Sequence, residues 1–193
     1  LAHAQAIRTG RIKSIGLVLQ ADVYDGQRPF LADFLAGVSQ TASSENWTLT
    51  VATPDTETEV IRTLRRLIDE RKADGFILPR TKVYDPRIEL LRAEGIPFVM
   101  FGRTMDPSGC AWYDVLGEDA IRKAVERLAE LGHRKIGFVN SDLNYNFADL
   151  RLLGFKEGIK KTGLKLFDEL ILDGALTASA GRVATINLLS MPL

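Results

Sequence analysis

Cysteine and histidine are nearly missing from this chain of 193 residues, and several kinds of chemistry go with them. Cys110 is the single cysteine, so there is no internal disulfide and no cysteine-rich metal site. Of the two histidines, His3 lies near the start and His133 in the interior. No HExxH, GxSxG, GxxxxGK[ST] or strand-following GxGxxG occurs, which argues against zinc proteases, serine hydrolases, P-loop enzymes and Rossmann dehydrogenases. No metal and no cofactor is expected. Charge of one sign is not in excess: 25 Lys and Arg stand against 25 Asp and Glu, for a formal net charge of zero. Nucleic-acid-binding surfaces normally carry a basic surplus, so this stretch is not expected to hold DNA strongly by itself. No run approaches the roughly 18 apolar residues of a membrane span. The opening LAHAQAIRTGRIKS lacks the apolar core and small-residue cleavage site of a secretory signal. The chain starts at a leucine and stops at SMPL, and both ends read as cuts.

What is present is an ordinary globular mixture, 46% hydrophobic and 26% charged, enough for one large domain or two small ones. Short apolar runs alternate with amphipathic ones. Strands are predicted at 14–20 (SIGLVLQ), 47–53, 74–79, 96–101 and 111–115, then at 135–140 and 168–172. Helices are predicted at 29–45, 56–72, 85–94, 117–131, 148–162 and 178–189. In 56–72 the inward face is Val60, Ile61, Leu64, Leu67 and Ile68; in 117–131 it is Ile121, Ala124, Val125, Leu128 and Leu131. Strand–helix alternation predicts an α/β fold with a doubly wound parallel sheet. The pattern restarts near 114–118, which reads as the crossing between two similar subdomains. In such sheets, loops leaving the carboxyl ends of strands line the ligand crevice. Loops 20–29, 79–84, 102–110 and 140–149 are therefore the candidates.

His133 lies in LGHRKIGFV (131–139), a junction from helix to strand. Gly132 stands where a helix end favours a left-handed residue, and His133, Arg134 and Lys135 where cations meet the last carbonyls. With no partner ligand or nucleophile, the histidine is read as architecture. The loop QADVYDGQRPF mixes Asp22, Asp25 and Arg28 with Tyr24 and Phe30, as sugar sites do: planar polar groups for hydroxyls, aromatic faces for C–H surfaces. The mixture recurs in SDLNYNFADLRLLGF (141–155), with Tyr145, Phe147 and Arg151. A cation in the first turns of a helix is electrostatically disfavoured, so Arg151 needs a partner, either a ligand or an aspartate such as Asp142 or Asp149. Arg80 ends the third strand and faces the crevice, Arg87 belongs to a helix surface, and Trp47 and Trp112 are read as core.

Together, IRTGRIKSIGLVL, DGFIL, GIPFVMFGR, LGHRKIGFV and RLLGF, in this order and spacing, resemble the lactose-repressor (LacI/GalR) family of bacterial transcription regulators. The likeness runs from about residue 4 to the end. It implies a periplasmic-binding-protein-like effector domain of two parallel-sheet α/β lobes, the second incomplete in this chain. Residues 1–11 would be a linker following a DNA-binding domain, 12–116 the N-terminal lobe and 117–193 a partial C-terminal lobe. By the same resemblance Arg151 matches the family's effector-contacting arginine, and Tyr145, Phe147, Arg103 and, near a lining aromatic, Phe30 match pocket positions. Asp22 and Arg80 join them on strand-end position. The resemblance further implies a small-molecule effector, favoured as a sugar over a purine, held between the lobes. It implies operator DNA as a partner through a helix-turn-helix domain absent here, a homodimer, a cytoplasmic setting and no enzymatic activity. A periplasmic sugar-binding protein of a transport system is the rival reading. A small α/β enzyme is the third.

Overall fold

The computed structural model describes residues 11–20 and 29–191. Its first parallel sheet contains β1 (Ser14–Val18), β2 (Thr48–Ala52), β3 (Gly75–Pro79), β4 (Phe98–Phe101) and β5 (Ala111–Tyr113), in the order β2-β1-β3-β4-β5. Every pairing is parallel, as strand–helix alternation demands. The connecting helices are α1 (Pro29–Ser44), α2 (Glu57–Asp69) and α3 (Pro86–Ala93). Local chemistry sets their starts. Thr56 accepts the Glu59 N–H at the head of α2, and Asp85 accepts the Arg87 N–H at the head of α3, where Pro86 needs no donor. The predicted face of α2 is turned inward: Val60, Leu64 and Leu67 are buried with Val18, Phe76, Leu78, Leu91 and Met100.

The entry to β1 is tied down by one side chain. The Asp74 carboxylate accepts the N–H groups of Ile12, Lys13 and Ser14, at 3.2, 2.6 and 3.3 Å. Three donors on one carboxylate hold Lys13 in a left-handed conformation, φ 58°, that a lysine rarely adopts.

The second sheet is small. Only β6 (Phe138–Val139) and β7 (Ile171–Leu172) pair, in parallel. Around them lie α4 (Gly117–Glu130), α5 (Asn146–Thr162) and α6 (Ala178–Ser190). The strand predicted over 135–140 shortens to two residues because its ladder is no longer than its partner's. Residues 168–170 form a 3-10 turn ahead of β7 rather than strand. The core here is Val125, Phe155 and Ile159, with the Phe138 and Phe155 rings stacked 4.8 Å apart.

Two glycines in α5 let it reach α4. A Cβ at Gly154 would overlap the backbone carbonyl of Glu118, and one at Gly158 would lie 2.7 Å from the Val125 Cβ. Of the predicted inward face of 117–131, Val125 is buried and Ile121 and Leu128 are half-buried, but Ala124 and Leu131 are exposed. Contact with α5 runs along the Val125 line, and among the described residues nothing covers the rest.

The chain divides into two compact units. The first holds Leu1–Pro79, Asp85–Phe101 and Pro107–Tyr113; the second holds Arg80–Tyr84, Gly102–Asp106 and Asp114–Leu193. Two short loops that leave β3 and β4 thus group with the second unit.

Two readings of single residues need correction. Arg87 is not on a helix surface. It is 8% exposed and curls back from the start of α3 to pair with Asp85 at 2.7 Å, while also donating to the Pro79 carbonyl. Its partners are strand-end groups that a helical pattern does not reveal. Trp112 is not core: it is 47% exposed, because β5 is the edge strand of its sheet. Trp47 is half-buried.

Candidate functional site

The helix-to-strand junction is architectural. Gly132 has φ 95°, His133 is exposed and donates its backbone N–H to Leu128, and Arg134 donates to the Ala129 carbonyl. These are the helix stop and C-terminal cation that the sequence implied. Among the described residues no cluster of His, Cys, Asp and Glu could hold a metal ion.

The second unit holds five of the candidate residues and brings three of them, Tyr145, Phe147 and Arg151, together. The loop before α5 is shaped by Asp142, which accepts the Asn144 N–H at 2.9 Å on its side chain and the Tyr145 N–H on its backbone. Buried Asn140, at the end of β6, donates to the Ala148 carbonyl and pins strand to helix. Residues 81–83 lie alongside: Asn146 N–H donates to Thr81, Val83 N–H donates to Asn144, and Lys82 bridges Tyr145 in antiparallel register. On this frame the Tyr145 and Phe147 rings stack at 5.5 Å, and the Arg151 guanidinium lies 5.0 Å from the Phe147 centroid. Residues 147 and 151 are one helical turn apart, which is why they meet. The stem of Arg151 runs over Gly117, where a Cβ would come within 3.4 Å of it.

Arg151 is exposed, and among the described residues its guanidinium has no ion pair. Neither Asp142 nor Asp149 bridges it. The surface salt bridge that would have made this arginine unremarkable is not formed.

Arg103 behaves differently. Its Nε donates to Asp114 at 2.7 Å and its Nη2 to both oxygens of Glu118, at 2.8 and 2.9 Å. Burial works against the cation, but the hydrogen bonds and charges of the two carboxylates outweigh it and raise its pKa. The side chain ties the loop after β4 to the start of α4. The Thr81 hydroxyl donates to the Arg103 carbonyl, and Thr104 donates to Lys82 and Val83, so the two loops form one unit. Arg80 opens the first of these loops, half-buried and left-handed at φ 53°.

Phe30 belongs to the first unit, in a cluster the sequence reading did not assemble. Its ring lies 5.7 Å from Phe34 and 5.5 Å from Phe101, and Phe101 lies 6.0 Å from Tyr113. The available signals were the i, i+4 spacing of Phe30 and Phe34 and the aromatic ending of β4 and β5. Asp22 lies outside the described residues. A groove of about 910 Å³ opens at the opposite, amino edge of the first sheet, lined by Ile12, Trp47, Phe76 and Phe98. It lies at the end of the strands where ligands of such sheets do not bind.

With the parallel sheet and these loops in place, comparison with known proteins is decisive. The family described as periplasmic binding proteins and sugar binding domain of the LacI family matches residues 12–192. The chain belongs to this family. Among the relatives of this LacI-type domain, the HTH-type transcriptional regulator RafR of Escherichia coli is 28% identical over 98% of this chain and 56% of its own length. The chain spans about half the length of the curated relatives it matches. Among solved structures, a putative LacI transcriptional regulator from Bacillus cereus subsp. cytotoxis superimposes with a TM-score of 0.89 at 27% identity, over 94% of this chain and 65% of that one. The transcriptional regulator CelR, solved in complex with cellobiose, gives 0.82 at 25% identity, over 97% and 59%. The periplasmic-binding-protein-like fold expected from the sequence is thus the fold of the chain.

Proposed function

We propose that this chain is the effector-sensing region of a bacterial transcriptional regulator without catalytic activity, and that its effector is a small sugar. The observation that carries the reading is the Arg151 side chain: an exposed cation near a helix N-terminus, over the Phe147 ring that itself stacks on Tyr145, with no ion pair among the described residues. Such a cation is held against its local field, and hydroxyl groups of a ligand would satisfy its donors while the rings cover C–H faces. Tyr145, Phe147 and Arg151 are the proposed contacts within the second unit. Arg80 stays a peripheral candidate. Arg103 is proposed to hold the loops in place rather than touch the effector, since its donors already serve Asp114 and Glu118.

Effector binding would favour one conformation over another and so change operator affinity through a DNA-binding region elsewhere in the protein, a coupling of ~1–3 kcal/mol. A palindromic operator calls for a two-fold assembly, so a homodimer is proposed, with the outer faces of α2 and α3 as candidate surfaces. A cytoplasmic setting follows from the same role. Relatives named as HTH-type regulators weigh against a transport binding protein.

A thermal-shift screen of mono- and disaccharides, with purines as controls, tests this. Ligand at 100 times its dissociation constant adds about 2.7 kcal/mol and raises the melting temperature visibly. The expected result is a sugar-induced shift that Arg151→Ala abolishes. A purine shift in its place contradicts the sugar assignment.

A further inference from the structure

Three helices of the chain end in one backbone motif. After α2, the Arg71 N–H donates to the Ile68 carbonyl and the Lys72 N–H to that of Leu67. After α3, Gly95 donates to Arg92 and Ile96 to Leu91; after α4, Gly132 donates to Ala129 and His133 to Leu128. The motif needs a left-handed residue at its centre, and φ is 50° at Arg71, 64° at Gly95 and 95° at Gly132. Two of these helices use glycine, which has no Cβ to clash. The third uses arginine and is less stable for it. Lys13 repeats that choice at φ 58°, clamped by Asp74. Asparagine, as at Asn46, tolerates this region through its short polar side chain, but lysine and arginine have no such means.

Both cations stand at the amino edge of the first sheet. Lys13 immediately precedes β1, Arg71 stands shortly before β3, and β1 and β3 are neighbours. The Asp74 N–H donates to the Ser14 carbonyl at 2.7 Å and joins the two approaches. Lys13 and Arg71 are exposed, and among the described residues neither has an ion pair. The nearby carboxylates are engaged elsewhere: Glu70 pairs with Lys72 at 2.6 Å, and Asp74 accepts the three N–H groups of residues 12–14. Neither Glu45 nor Asp69 bridges them. A cation at the end of α2 meets the helix dipole favourably, but Arg66 already fills that role in the last turn. Lys13 follows no helix, so the dipole does not account for it. The edge thus keeps two unpaired cations at backbone positions where glycine would be more stable.

We infer that Lys13 and Arg71 form a basic rim that contacts the phosphate backbone of DNA and adds a sequence-independent share to the affinity of the intact regulator. This rests on the regulator reading above, in which residues 1–11 link the DNA-binding region to β1 and so tether Lys13 beside it. Two charges do not hold DNA by themselves, in keeping with the formal net charge of zero. They add to a complex that the DNA-binding region forms. Each phosphate they neutralise releases counterions, so the rim shows itself in the salt dependence of binding.

Fluorescence anisotropy of the full-length regulator with a labelled duplex of arbitrary sequence, about 30 base pairs long, tests the inference between about 50 and 200 mM NaCl. Lys13→Gly, Arg71→Gly and the double variant remove charge while relieving the backbone, so their melting temperatures should hold or rise. The slope of log affinity against log salt should flatten by about 0.9 for each charge removed, and so by about 1.8 per protomer in the double variant. Weaker DNA binding by a protein that melts no lower separates contact from misfolding. Arg182→Gln removes an exposed charge from α6 of the other unit and should leave the slope unchanged. A double variant whose slope is no flatter than that of Arg182→Gln would overturn the inference while leaving the regulator reading in place. Absence of any duplex binding by the wild type at about 50 mM salt would remove the regulator reading and this inference with it.

Discussion

The two units solve the same packing problem by different means. The first buries helices against a five-stranded parallel sheet, and its core includes fully enclosed Leu17, Leu64, Leu78 and Leu91. The second has only a two-stranded sheet, which is marginal by itself, and relies on helix against helix. Glycines at 154 and 158 bring α5 so close to α4 that the Glu118 backbone meets Gly154 and the Val125 side chain meets Gly158. The outer helix α6 buries no side chain, and Val183, Ile186 and Leu189 are all more than half exposed. Both units hold enclosed ion pairs. The first encloses Arg87 with Asp85, and the second partly buries Arg103 between Asp114 and Glu118 beside a more open network of Asp119, Arg122, Glu126 and Lys161 on α4 and α5. A buried pair is costly to break, whereas an exposed network is worth little. The two units also differ in what they carry: the sheet unit holds the Phe30–Phe101–Tyr113 ring cluster, and the helical unit holds Arg151 over Phe147.

The largest expected effect is at the buried pair. Arg87→Ala leaves the Asp85 carboxylate buried without its guanidinium and should cost about 3–5 kcal/mol, read as a lowered midpoint in urea or thermal melts. A loss under about 1 kcal/mol would mean that the pair is no more enclosed than the open network on α4 and α5.

The helix contact comes next. Gly154→Ala gains ~1 kcal/mol of helix propensity, but its methyl overlaps the Glu118 carbonyl, and overpacking costs up to about 3 kcal/mol. A net loss near 2 kcal/mol is expected, while the same change at Gly181 on exposed α6, where nothing lies within 4 Å, should be neutral or stabilising. Equal effects at both positions would refute the close helix contact.

The smallest effect is electrostatic. Hydrogen bonds from Lys123 and then Arg122 hold the Asp119 carboxyl below its usual range; Lys161 and then Arg122 do the same for Glu126. A carboxyl depressed in the folded state adds stability that is complete above the unfolded pKa, about 4, and is lost as pH falls through the folded value. Melting temperatures between about pH 3 and pH 7 should therefore decline at the acid end, and Glu126→Gln should flatten that decline slightly. A variant steeper than the wild type would reverse the sign.

Much of the first unit could be read from sequence, because a strand buried on both faces is a run of apolar residues and a capped amphipathic helix announces its start. SIGLV, GFILP and Thr56 are such signals. The second unit was less legible. Leu131 looked inward by periodicity, but periodicity cannot say whether anything stands opposite it. The value of Gly154 and Gly158 lies in what approaches them, which no local pattern records. At the site, Tyr145, Phe147 and Arg151 stand close together in the chain, so one loop and one helical turn suffice to gather them. The Phe30–Phe101–Tyr113 row draws on three distant segments, and the carboxylates that occupy Arg103 lie 11 and 15 residues beyond it. Those pairings exist only once the sheet has formed.

The most direct test of the central claim, that Arg151 receives a sugar, is chemical labelling. The protein would be treated with an arginine-specific dicarbonyl reagent, with and without the sugar that gives the largest thermal shift, and modified sites counted by mass spectrometry. Arg127 on α4 and Arg182 on α6, both exposed, serve as internal references. The expected result is that sugar slows modification of Arg151 while the reference arginines react at unchanged rates. Equal labelling of Arg151 with and without saturating sugar would contradict the assignment.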